Sequence, residues 1–176
     1  MLNAAGVAYE AVKPDVDEAA AKSRLNSALE IACELAAAKA QSIAGADWTI
    51  GSDSVVSVAG RRFDKPRSRD EAAEHLRFFS GKSMQLTSAV ALARRGEIDW
   101  RHAETATLQV RDLSGEFIAD YLDAEWPGVG YTVGVFRLEG RGVQLFDSIE
   151  GDHFTILGMP LLPLLGALRE RGLLLA

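Results

Sequence analysis

Two periods of apolar residues alternate along the chain, one near 3.6 and one of 2, and turn residues separate them. Ala28, Ala32, Leu35, Ala36 and Ile43 form a helical stripe, with Asn26 or Ser27 placed to cap it and Gly45 to stop it. A helix running to about Ile43 is therefore predicted. Ser68-Arg69-Asp70-Glu71 has capping-box spacing ahead of inward-facing Ala72, Leu76 and Phe79, and Gly81 follows as a C-terminal glycine. Phe117, Ile118, Tyr121 and Leu122 mark a further helix before Pro127, and residues 161–171 a last, apolar one. Leu2 to Ala5 reads as the closing turn of a helix that ends at Gly6.

Between the helices lie strand-like runs. Residues 9–12 predict a short strand, as do 48–51 and 55–58, the last two separated by Ser52-Asp53-Ser54. Ala59-Gly60 predicts a tight turn into 61–63, and Arg95-Gly96 a turn between a strand over 86–93 and one leading through 105–110. Gly140, Gly142 and Gly151 punctuate the strands that follow. The interleaving implies an α/β fold in which residues 1–176 form one domain, or two lobes sharing one sheet.

Composition narrows the setting. With 48% hydrophobic and 25% charged residues the chain has the make-up of a globular protein. No apolar run approaches the ~18 residues of a membrane span. Its start shows neither a basic segment nor an apolar core of a secretory signal, so the cytoplasm is the expected location. A net charge of −6 argues against a general polyanion-binding surface, so neither nucleic acid nor membrane is expected as a partner and any phosphate site must be local. The single cysteine, Cys33, excludes an internal disulfide and a multi-cysteine zinc site, and its helical setting suits a packed thiol without a chemical role.

Candidate chemistry then rests on carboxylates and lysines. Asp15, Asp17 and Glu18 cluster in an irregular segment after the first strand, where they can hold a hard cation or form a solvated acidic turn. Asp53 lies between two apolar runs, so its backbone should be close to the core; its carboxylate needs a metal, a cation or backbone N–H groups to offset burial. Lys39 is four residues from both Leu35 and Ile43, on the apolar face of its helix. Its amine can snorkel to the surface or enter a cleft and grip phosphate. Lys65 is held extended by Pro66, which alone says little. His75, His102 and His153 share no metal-binding spacing, and neither a nucleophile elbow nor a glycine-rich nucleotide loop is present. What remains suits metal-assisted cleavage of a phosphoanhydride.

The order of these residues resembles the Maf family of nucleotide pyrophosphatases. Pro14-Asp15-Val16-Asp17-Glu18, Ala36-Ala37-Ala38-Lys39-Ala40, Gly51-Ser52-Asp53-Ser54-Val55-Val56 and Lys65-Pro66 resemble successive motifs of that family at its spacing. The similarity continues through Phe79-Ser80-Gly81, Thr87, Glu139-Gly140-Arg141-Gly142, Ile149-Glu150-Gly151-Asp152 and Gly158-Met159-Pro160-Leu161. The resemblance implies a fold related to inosine-triphosphate pyrophosphatases, a mixed β-sheet with flanking helices and two lobes around a central cleft, often as a homodimer. It also implies cleavage of a nucleoside triphosphate to monophosphate and pyrophosphate with Mg²⁺ or Mn²⁺. Asp53 and Glu18 would hold the metal, with Asp53 also orienting water, and Lys39 and Lys65 would hold the phosphates.

Two departures refine the expectation. The family's opening Ser-x-Ser-x-x-Arg segment has no counterpart here: Met1-Leu2-Asn3-Ala4-Ala5-Gly6 looks like the middle of the helix that segment opens. The expectation is a polypeptide that folds but turns over poorly, and the alternative reading is a catalytically impaired nucleotide-binding relative with a regulatory role in cell division. Ser54 and Glu139 replace the Thr and Gln of the branch acting on dTTP and UTP, which looks like the branch preferring 7-methyl-GTP. A carboxylate at Glu139 can accept from both N1–H and the exocyclic amine of guanine.

Overall fold

The computed structural model describes residues 1–43 and 45–175. It is an α/β fold with a five-stranded sheet flanked by helices. In chain order the elements are α1 (Glu18–Arg24), α2 (Ala28–Gln41), β1 (Trp48–Val58), β2 (Arg61–Phe63), α3 (Arg69–Phe79), β3 (Ser83–Arg94), β4 (Glu97–Val110), α4 (Gly115–Glu125), β5 (Phe146–Glu150), α5 (His153–Ile156) and α6 (Leu161–Glu170). The strand order is β2-β1-β3-β4-β5. Where the resemblance implied a mixed sheet, the described pairings are antiparallel: β1 meets β2 with Ser57 opposite Arg62, and β4 meets β5 with Leu108 opposite Ile149. No described helix is long and apolar enough to cross a membrane.

The chain divides into two compact units. One comprises Met1–Ser54, Thr87–Glu104 and Asp152–Ala176, the other Val55–Leu86 and Thr105–Gly151. The long strands β1, β3 and β4 contribute residues to both.

Capping residues set the helix starts. The Ser27, Ser68 and Ser114 hydroxyls accept from the N–H groups of Glu30, Glu71 and Phe117, satisfying donors that no helical carbonyl can reach. At Ser68 the box is modified, since the Glu71 carboxylate accepts from the N–H of Arg67. Five expectations need correction. Residues 9–12 form no strand, and Tyr9 and Val12 stand half exposed without a packing surface to hold them. Asp17 and Glu18 belong to a short helix rather than an irregular loop, because the Asp17 carboxylate caps it by accepting from the N–H of Ala20. Residues 48–58 form one continuous strand, since the Ser52 and Ser54 hydroxyls find acceptors and need not leave it. Likewise Gly140 and Gly142 lie at a 3₁₀ turn over Arg141–Leu145, and among the described residues β5 is the one strand that follows. Helix α2 ends at Gln41, two residues short of the periodic stripe.

In the first unit, Val90 and Leu92 of β3 pack with Leu161, Leu164 and Leu168 of α6. Helix α2 closely approaches β1. A Cβ added at Gly51 would lie 2.1 Å from the Ala36 carbonyl oxygen and 2.5 Å from the Ala40 nitrogen, so only glycine admits the helix backbone this near the strand. In the second unit α3 packs on α4, and Phe63 of β2 meets the rings of His75, Phe78 and Phe79. Burying side chains of this size contributes about 1.5–3 kcal/mol each.

Candidate active site

Gly51 and Asp53 are two residues apart on β1 and so face the same side of the sheet. That side is covered by α2, which makes Asp53 face the helix that carries Lys39. The Lys39 Nζ donates to Asp53 Oδ1 at 2.6 Å and stands 2.9 Å from Glu18 Oε1. Glu18 reaches it from the first turn of α1 and is also 3.7 Å from Lys22, one turn on. The Lys39 and Asp53 side chains are only 18% and 11% exposed, against 45% for Glu18, so the lysine does not snorkel: its charge is turned inward onto two carboxylates.

The two halves of the pair respond differently to burial. Desolvation dominates at Asp53 and raises its pKa above the ordinary aspartate value, despite the opposing hydrogen bond from Lys39. At Lys39 burial pulls the pKa down, but the hydrogen bonds and charges of Asp53 and Glu18 together outweigh it and leave the value raised. Lys39 is thereby held as an ammonium, while the hydrogen bond it gives Asp53 offsets only part of the desolvation of that carboxyl.

The donor set fits a hard divalent metal in one respect. Asp53 and Glu18 bring carboxylate oxygens to a common point, occupied here by the Lys39 ammonium. Among the described residues no group of three or more His, Cys, Asp or Glu could hold a metal ion. Mg²⁺ characteristically takes one or two carboxylates and leaves its other positions to water and substrate phosphate. Asp17 is committed to capping α1, and Asp15 is exposed ahead of it.

On the opposite side of β1, serines flank Asp53. Ser52 Oγ lies 2.9 Å from the Ala89 carbonyl and 2.8 Å from that of Gly158. Ser88 Oγ donates to the Thr155 carbonyl at 2.7 Å, which uses its only hydrogen; in the 2.8 Å contact between Ser54 and Ser88, Ser54 is thus the donor. Sequence reasoning missed Ser52, Ser88 and Thr155. The one available signal was alternation, which puts Ser52 and Ser54 on one side of the strand and Asp53 on the other.

Lys65 and Glu139 belong to the second unit. Lys65 is exposed in the segment between β2 and α3, next to buried Pro66. Glu139 is exposed in a turn between Arg137 and Arg141. Cys33 is half-buried on α2, and burial pushes its thiol pKa up, as befits an unreactive group.

A family profile described as "Maf-like protein" matches residues 1–171. The chain belongs to the Maf family. Among curated relatives, the "7-methyl-GTP pyrophosphatase" of Rhizobium meliloti (strain 1021) is 45% identical over 179 residues, covering 98% of this chain and 90% of its own length. The protein of the same name from Rhizobium etli is 43% identical, with the same coverage. A "Nucleoside triphosphate pyrophosphatase" of Sphingopyxis alaskensis is 45% identical over 181 residues, covering 98% of this chain and 91% of its own. In this Maf chain, Glu18, Lys39 and Asp53 are drawn from three separate motifs into direct contact.

Proposed function

We propose that this Maf protein hydrolyses a nucleoside triphosphate at the α–β phosphoanhydride, giving the monophosphate and pyrophosphate, with 7-methyl-GTP as the preferred substrate class. The observation that carries the reading is the inward-turned Lys39 between Asp53 and Glu18, in a chain 45% identical to a 7-methyl-GTP pyrophosphatase.

The residues divide the work by charge. Asp53, a carboxylate of raised proton affinity, accepts a hydrogen bond from the attacking water and orients it toward the α-phosphorus. Lys39 keeps its proton and offers the ammonium to phosphate oxygens, where it stabilises charge that develops as pyrophosphate leaves. Glu18 steadies that ammonium at 2.9 Å. Asp53 and Glu18 would together hold Mg²⁺ or Mn²⁺, which when bound supplies Lewis-acid neutralisation of phosphate charge. Lys65, exposed on its own unit, is a second phosphate-binding cation in this reading. Ser54 belongs to the substrate-binding set as the neighbour of Asp53, its hydrogen committed to Ser88. The reading also includes a cytoplasmic homodimer, for which light scattering is the test of assembly.

Glu139 is assigned the base. Its carboxylate can take both N1–H and the exocyclic amine of guanine, and the positive charge of 7-methylation adds to the attraction. Pyrophosphate release is to be measured with 7-methyl-GTP, GTP, UTP and dTTP, with and without Mg²⁺. Highest kcat/KM for 7-methyl-GTP, shifted toward UTP and dTTP by Glu139→Gln through ~1–3 kcal/mol of lost discrimination, is the expected result. Identical selectivity in the two forms would remove Glu139 from base reading, and absence of pyrophosphate with every substrate would overturn the activity itself.

A further inference from the structure

Helix α4 presents Tyr121 and Glu125 on one face, four residues apart, and both are buried. Together they grip the loop that follows at three points. Tyr121 Oη donates to the Val135 carbonyl at 3.0 Å. One Glu125 oxygen accepts from the Arg137 guanidinium at 2.7 Å, and the other accepts from the backbone N–H of Arg141 at 3.3 Å. Glu139 lies midway between the last two points, exposed at the tip of the turn.

The turn has little freedom at its base. A Cβ on Gly142 would come within 2.5 Å of the Arg137 carbonyl oxygen, so its two limbs touch, and one on Gly140 would meet both Glu125 oxygens at 3.5 Å. The Arg137 guanidinium also lies against Gly128, whose added Cβ would be 3.3 Å from its central carbon. Val135 holds φ at +60°, a conformation that branched residues rarely adopt and that the Tyr121 bond helps to maintain. Glu125 is 9% exposed, and its hydrogen bond from Arg137 holds its pKa below the ordinary glutamate value. A buried carboxylate is costly unless its partners are fixed, so the pair and the turn geometry stand or fall together.

We infer that Glu125 is a positioning residue for base selection: it fixes both limbs of the turn that carries Glu139 and acts on substrate choice through that residue. The inference rests on the proposed base-reading role of Glu139.

The test is a double-mutant cycle read as the ratio of kcat/KM for 7-methyl-GTP to that for UTP, in the native protein, Glu125→Gln, Glu139→Gln and the double variant. Glu125→Gln is expected to lower the ratio about tenfold, and to leave it unmoved when Glu139 is already Gln. A merely structural role would lower both substrates alike and leave the ratio where it was, which overturns the inference. Additive effects in the double variant overturn it as well. If Glu139→Gln alone does not move the ratio, the base-reading role fails, and the inference with it. Should Glu125→Gln not fold, Arg137→Gln keeps the Arg141 contact and breaks only the other limb. A smaller fall in the ratio supports the inference, and an unchanged ratio overturns it.

Discussion

Asp53→Asn separates the chemistry of this carboxylate from its structural part. The gross Coulomb attraction to Lys39 at 2.6 Å is about 6 kcal/mol at an effective dielectric constant near 20. Burial opposes it, and the raised pKa shows that burial wins: the native environment favours neutral Asp53 more than water does. An asparagine of nearly the same volume removes the desolvation cost and still offers an oxygen to Lys39, whose charge keeps Glu18 as its counterion. Stability at pH 7 is therefore expected to change by no more than about 1 kcal/mol, or ~2–4 °C in Tm. The sign with pH follows. A raised aspartate pKa means that the native state loses stability as pH rises from the ordinary value through the folded one, and the variant should lack that loss. Turnover should behave otherwise. Removing the group proposed to orient water and hold the metal is expected to cost about 4 kcal/mol of transition-state stabilisation, ~10³-fold in kcat/KM. The assays are pyrophosphate release and thermal unfolding on the same preparation. Turnover within threefold of the native protein, or a Tm lowered by ten degrees or more, would refute the assignment in opposite ways.

Lys39→Ala and Lys65→Ala should each lower kcat/KM by roughly tenfold or more through lost charge-assisted contacts with phosphate; steady-state kinetics unchanged in either would return that lysine to a surface or structural role. Gly51→Ala puts a methyl group 2.1 Å from the Ala36 carbonyl oxygen and 2.5 Å from the Ala40 nitrogen, and since both of these are backbone atoms of the helix, α2 and β1 must part. A loss of about 3 kcal/mol or more is expected by denaturant unfolding, and an unaltered midpoint would contradict the packing described. His75 lies among Phe63 and Phe79, its Nδ1 without a hydrogen-bond partner among the described residues. Burial lowers its pKa against the opposing charge of Glu71, so its contribution to stability is intact above the unfolded value near 6.5 and fades as pH falls below it. His75→Phe should flatten the unfolding midpoint between pH 7 and pH 5; an equally steep profile in the variant would assign the acid sensitivity to other groups.

Local pattern alone determined much of this protein. A cap at Asn26 or Ser27 and one at Ser68, the turns at Ala59-Gly60 and Arg95-Gly96, and the apolar stripes of α2, α3, α4 and α6 were legible because each depends on residues a few positions apart. The order of Glu18, Lys39, Asp53 and Lys65 along the chain also resembles the Maf family without any tertiary information. Tertiary structure decided what those residues touch. Periodicity placed Lys39 on the apolar face of α2 but left its ammonium two outlets, and the choice came from a glycine twelve residues later that draws the helix onto β1 beside Asp53. The same packing kept Ser52-Asp53-Ser54 in one strand, because the carbonyls of Ala89 and Gly158, distant in sequence, both stand within hydrogen-bonding distance of the Ser52 hydroxyl. Residues 9–12 show the converse, a strand-like run left irregular. Spacing along a chain encodes which side of an element a residue occupies; the partner waiting on that side is supplied by segments tens of residues away, whose approach is governed by packing.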